Sequence, residues 1–76
     1  MEEKERKRLL KEALSLLPAE MRRMIVLRDV QGLSYDEVAK ILDMPLGTVK
    51  SRISRAREKL AAILKKSSEL FSFRSV

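Results

Sequence analysis

Four residues that break or bend helices divide this chain, and they leave little choice of fold. Pro18, Gly32, Pro45 and Gly47 are its whole proline and glycine content. Between them apolar residues recur three and four apart, the helical period, and no alternating run supplies a credible strand. Leu9, Leu10, Ala13, Leu14 and Leu17 predict a first helix over about 2–17, ending there because proline disfavours helical geometry in the residue before it. Pro18 suits the first turn of a second helix, 18–30, which would bury Met21, Met24, Ile25 and Leu27. Gly32 then supplies the left-handed position that ends helices.

Ser34 and Glu37 have the spacing of a capping box, so a short third helix starts at Tyr35 and runs to about 42, offering Val38, Ala39, Ile41 and Leu42 to the core. Asp43, Met44 and Pro45 interrupt it. A fourth helix resumes near Leu46 and is expected to run to about 66, leaving 67–76 as a flexible, serine-rich tail. The fold class is therefore all-α, with residues 1–66 as one four-helix domain. A short helix, a tight turn and a helix rich in basic and small polar residues make a C-terminal helix-turn-helix, winged-helix-like but without a wing.

Placing successive residues about 100° apart divides the fourth helix into two faces. Val49, Ile53, Ala56, Leu60 and Ile63 form an apolar stripe. Ser51, Ser54, Arg55 and Glu58 lie opposite, flanked by Lys50 and Arg57 on one side and by Thr48 and Arg52 on the other. Small hydroxyl side chains let a helix sink into a major groove, while Arg and Lys reach base edges and phosphates. Gly47 in the first turn costs helix stability, which close approach to a phosphate or to the neighbouring helix would explain.

Charge sharpens this reading. Residues 1–44 balance nine basic against nine acidic side chains, whereas residues 45–76 carry eight basic and two acidic ones, so the net +6 sits entirely on the second part. A one-sided positive field points to a polyanion. With no cysteine and no histidine, disulfides, the usual zinc sites and histidine-based catalysis have nothing to be built from. No Gly-rich phosphate loop is present either, so neither an enzyme nor a metal or other cofactor is expected. No apolar run approaches the roughly 20 residues of a membrane span, and the N-terminal residues lack a secretory signal; a cytoplasmic protein is expected.

The segment "LSLLPAEMRRMIVLRDVQGLSYDEVAKILDMPLGTVKSRISRAREKLAAIL" resembles region 4 of bacterial sigma-70 family factors, specifically the extracytoplasmic-function (ECF) group. The marks are "LP" opening the second helix, "LRD" with "GLSYDEVA" leading into the motif, and "P-x-GTVKSR-x-x-RAR" in the recognition helix. The resemblance implies sequence-specific binding of the promoter minus-35 element, as part of a factor that directs RNA polymerase to initiate transcription. It implies base contacts from Lys50, Ser51 and Arg55, and places Thr48, Arg52 and Arg57 on or near phosphates. Arg28, Ser34 and Tyr35 would hold the DNA backbone. Ser54 is also a candidate DNA contact; it departs from the larger side chain that some relatives carry, which counts against an apolar base contact there. Residues 46–66 contain no Asn or Gln, so Lys50 and Arg55 would read guanines, and an adjoining A-rich step would be read through its shape.

The resemblance also implies further partners: the flap of the polymerase beta subunit, gripped by apolar residues of the first three helices with Met21, Met24 and Met44 as candidates, and an anti-sigma factor covering the same surface. Phe71 and Phe73 could dock on a partner or fold back. Nothing corresponds to the upstream region 2 of such factors, so a longer parent protein is expected, and this part of it is expected to be a monomer that binds DNA weakly alone. Two other readings stand beside this one. A LuxR-type response-regulator output domain would dimerise on paired half-sites, and a protein-binding helical bundle would show no salt-sensitive DNA binding.

Overall fold

A computed structural model describes the backbone of residues 2–75 and the side chains of residues 2–67. Its elements are α1 (Glu3–Ser15), α2 (Ala19–Ile25), a π-helical turn (Val26–Val30), α3 (Tyr35–Leu42) and α4 (Leu46–Ser75). The described residues are all-helical, as the breaker pattern implies. Four helices surround a core with two layers. Met24, Val38, Val49 and Ile53 form the layer beneath the helix-turn-helix, with Leu27, Leu33, Tyr35, Ala39, Leu42 and Met44 around it. Leu17, Ile25 and Ala56 form the second layer with Leu14, Met21, Leu60 and Ile63, while Ala13 is also buried.

Local chemistry explains most of the boundaries. α1 stops two residues earlier than the spacing suggests: Leu16 and Leu17 amides bond to the Ala13 and Leu14 carbonyls in a tightened last turn, and Leu17 precedes the proline. Pro18 stands just before α2 as its cap, in extended geometry. The single helix expected over 18–30 is two pieces. After Ile25 the hydrogen bonds lengthen by a residue, so that the Gln31 amide reaches the Val26 carbonyl at 2.9 Å. Gly32, at φ +76, turns the chain and lets the Leu33 amide bond to the Leu27 carbonyl at 3.1 Å.

At α3 the capping box is present in both directions: the Glu37 amide donates to Ser34 Oγ at 3.1 Å, and the Ser34 amide donates to Glu37 Oε1 at 3.0 Å. Asp43, at φ 53, ends α3 in left-handed geometry, which aspartate tolerates better than most residues. Ile41, expected in the core, is half exposed, because Val38, Ala39 and Leu42 fill the inward face of so short a helix. The backbone of α4 does not stop near Lys66 but stays helical to Ser75, with no proline or glycine after Gly47 to end it. The flexible tail expected at 67–76 falls almost wholly on side chains outside the described residues, as do Phe71 and Phe73.

Candidate nucleic-acid interface

α4 divides as its pattern implies. Val49, Ile53 and Ala56 are fully buried and Leu60 and Ile63 half-buried, which turns Lys50, Ser51, Arg52, Ser54, Arg55, Arg57 and Glu58 outward. Thr48 is half-buried at the start of that face, and its carbonyl accepts a hydrogen bond from Ser51 Oγ at 3.2 Å. A β-carbon added at Gly47 would meet nothing within 4 Å, so contact between the two motif helices is not what places glycine there.

Tyr35 is the hub of one flank. It opens α3 immediately after the Ser34 cap and is half-buried against the helix-turn-helix layer. The Arg28 guanidinium carbon lies 4.7 Å from its ring centroid, and Lys50 Nζ lies 5.9 Å from it, both within the range of cation–π attraction. Arg57 donates through Nη1 to the Tyr35 hydroxyl at 3.4 Å, a long bond. The same guanidinium forks onto Asp29, with Nε donating to Oδ2 at 2.9 Å and Nη2 donating to Oδ1. The end of the π-turn, the start of α3 and the middle of α4 thus meet around one phenol.

The electrostatics follow from these contacts. The Arg57 hydrogen bond holds the Asp29 carboxyl below its ordinary range, and Asp29 in turn raises Arg57 further above its own. The Tyr35 phenol is also lowered, chiefly by the Arg57 hydrogen bond. Arg28 Nε is buried with no hydrogen-bond partner. Glu37 is lowered by its bonds to the Ser34 backbone and hydroxyl, which keeps the capping carboxylate charged.

The other flank is built differently. Arg52 pairs through Nη1 with Glu20 Oε1 of α2, and both line a shallow pocket with Met21, Met24 and Arg55. The structure therefore brings Arg28, Tyr35, Lys50 and Arg57 together, puts Arg52 and Arg55 on the opposite edge, and leaves Ser51 and Ser54 exposed between them. Sequence reasoning missed Asp29 and Glu20 as partners of these arginines. They stand 28 and 32 residues away, and no local spacing rule links residues so far apart. Among the described residues no cluster of three or more carboxylates, thiols or imidazoles could hold a metal, and no helix is long and apolar enough to cross a membrane.

Residues 7–60 match the family model for sigma-70, region 4. The chain is 46% identical over 54 residues to the ECF RNA polymerase sigma-E factor of Haemophilus influenzae, covering 71% of this chain and 29% of that protein. It is 60% identical over 42 residues to the ECF RNA polymerase sigma-E factors of Salmonella typhimurium and Escherichia coli K12, covering 55% of this chain and 22% of each. The chain thus spans less than a third of the length of these curated relatives.

Proposed function

The chain belongs to the sigma-70 region 4 family, a non-enzymatic one, and from that premise we propose that it binds the minus-35 element of promoters as one part of an ECF sigma factor. The observation that carries the reading is the outward face of α4. Its first turns combine small hydroxyls with Lys50 and Arg55 on a helix whose opposite side is locked into the core. Such a face fits a major groove, with Lys50, Ser51 and Arg55 toward bases and Ser54 too short for an apolar base contact. Lys50 and Arg55 suit guanine O6 and N7, and an adjoining A-rich step is read by its narrow minor groove.

Backbone contacts flank that helix in the proposed complex. Arg28, Ser34 and Tyr35 hold phosphates at the junction with α3, while Thr48, Arg52 and Arg57 lie on or near phosphates along α4. The Arg52–Glu20 pair is exposed and made through one guanidinium nitrogen, without the two-pronged geometry of Arg57 on Asp29, and such single-pronged exposed pairs exchange partners at little cost, so Arg52 can turn to DNA. In the parent factor this module works in the cytoplasm on the nucleoid, as a monomer held on the polymerase beta-subunit flap and opposed by an anti-sigma factor. Met21 and Met44, half-buried rather than sealed in the core like Met24, are the better placed methionines for such contacts. The family match sets aside the response-regulator alternative.

Fluorescence anisotropy at low salt against duplexes bearing guanine and A-rich minus-35-like elements, with scrambled controls, tests this. Preference for the minus-35-like duplexes that is lost in Lys50→Ala and Arg55→Ala is expected. Equal binding to all duplexes would reduce the module to an electrostatic DNA binder, and Arg55→Ala weakening every sequence alike would remove the guanine assignment.

A further inference from the structure

Among the six basic or hydroxyl side chains that border the α4 face, Arg57 stands apart, because most of its hydrogen-bonding capacity is already used inside the chain. A guanidinium has five N–H donors. Three of the five go to Asp29 and Tyr35, and the Nε/Nη2 fork, the edge suited to clasping a phosphate, is filled by both oxygens of Asp29. A phosphate approaching Arg57 would also approach that carboxylate, so the two charges largely cancel at its position. Arg28 and Lys50 make no ion pair with a carboxylate among the described residues, and the local positive field is theirs.

Resting on the DNA-binding reading above, we propose that Arg57 is a positioning residue: clamped by Asp29, it fixes the Tyr35 hydroxyl so that this hydroxyl, rather than Arg57, donates to a DNA phosphate. A phenol has one proton, and Arg57 donates to the Tyr35 oxygen rather than taking that proton. The proton is left to point outward, where a phosphate oxygen accepts it. A hydroxyl that accepts a bond from a cation is also polarised into a stronger donor, and the lowered phenol value has that cause as its largest. Arg28 and Lys50 against the ring restrict its rotation and supply the charge that draws the phosphate in. The π-turn contributes geometry: it holds Arg28 and Asp29, consecutive residues, so that one reaches the Tyr35 ring and the other reaches Arg57.

The sign of one substitution separates this clip from direct phosphate binding. Asp29→Asn removes a negative charge near the DNA and releases Arg57; if Arg57 were a phosphate ligand held back by Asp29, binding would tighten. The clip requires the reverse, a roughly 3- to 10-fold weakening, the scale of one hydrogen bond to a charged group. Arg57→Lys keeps the charge but cannot fork, and is expected to lose as much affinity as Arg57→Gln. Tyr35→Phe should weaken binding similarly, and adding Asp29→Asn to it should cost little more. All are measured by anisotropy on a minus-35-like duplex, with circular dichroism showing that each variant is folded.

Tyr35 is the only tyrosine and there is no tryptophan, so near-ultraviolet absorbance reports its ionisation directly. Arg57→Gln should move that titration to higher pH, and an unmoved titration would overturn the clip. Tighter binding by Asp29→Asn, or full affinity in Arg57→Lys, would overturn it while wild-type preference for the minus-35-like duplex left the proposed function standing. Wild-type protein with no salt-sensitive binding would overturn both.

Discussion

Ser34 caps α3, and the proposed complex gives the same oxygen a second role, which two substitutions at this position separate. Its Oγ accepts the Glu37 amide at 3.1 Å, and its hydroxyl proton is free for a phosphate in the proposed complex. Ser34→Ala removes an N-cap acceptor, a loss of about 1 kcal/mol within a usual span of 0.5–2. Against a margin of about 3–5 kcal/mol for a core of this size, that is a large share, and it corresponds to a fall of about 4–8 °C in Tm. Ser34→Asp keeps an acceptor, and aspartate caps as well as serine and favours the positive end of the helix dipole. Its Tm should stay within a degree or two of wild type, a few tenths of a kcal/mol. Its DNA binding should nevertheless fall about 5- to 10-fold, since a carboxylate near a phosphate costs on the order of 1 kcal/mol even in water. Thermal melts followed by far-UV circular dichroism and anisotropy on the same samples read both effects. A Ser34→Asp protein that melts like Ser34→Ala would refute the capping argument, and one that binds DNA like wild type would remove Ser34 from the backbone contacts.

Three further outcomes follow from the geometry. Ile53 is fully buried in the helix-turn-helix layer, so Ile53→Ala should cost about 2–5 kcal/mol, comparable to the whole margin; urea denaturation retaining most of the wild-type midpoint would contradict this. Gly47→Ala meets no neighbour and should stabilise the helix by up to about 1 kcal/mol; its DNA affinity should fall if the backbone lies against a phosphate, and unchanged affinity would rule out that close approach. Glu37 and Asp29 are lowered in the folded state, so as acid is added the unfolded chain takes up protons first, and stability falls as pH drops below about 4. Urea midpoints across that range should show the decline, with a shallower slope in Glu37→Gln.

What could be read from the sequence was whatever the chain encodes over a few residues. Pro18, Gly32 and the Ser34–Glu37 pair act on their own neighbours, and the period of Val49, Ile53 and Ala56 states which side of α4 is inside. Features that depend on which helices meet were out of reach. Ile41 has the same apolar character as Val38, and only the packing of α3 leaves it half exposed while Val38 is sealed. The π-turn has no breaker to announce it: "VLRDV" would continue an ordinary helix. The arginines of α4 are visible as charges, but that Arg52 meets Glu20 and Arg57 meets Asp29 depends on α2 and the π-turn lying beside α4, a relation that exists only once the chain is folded.

The two-layered core carries a consequence for cooperativity. Met24 and Ile25 are neighbours in the chain yet belong to different layers, and so do Ile53 and Ala56 one turn apart on α4. Both α2 and α4 therefore run through both layers like beams shared by two floors, and neither layer can open without disturbing residues that hold the other. The helix-turn-helix is thus not an autonomous folding unit. Its rigidity depends on Leu14 and Leu17 at the end of the first helical segment, which carries none of the residues proposed to contact DNA, and unfolding should be a single all-or-none event rather than a peeling of layers.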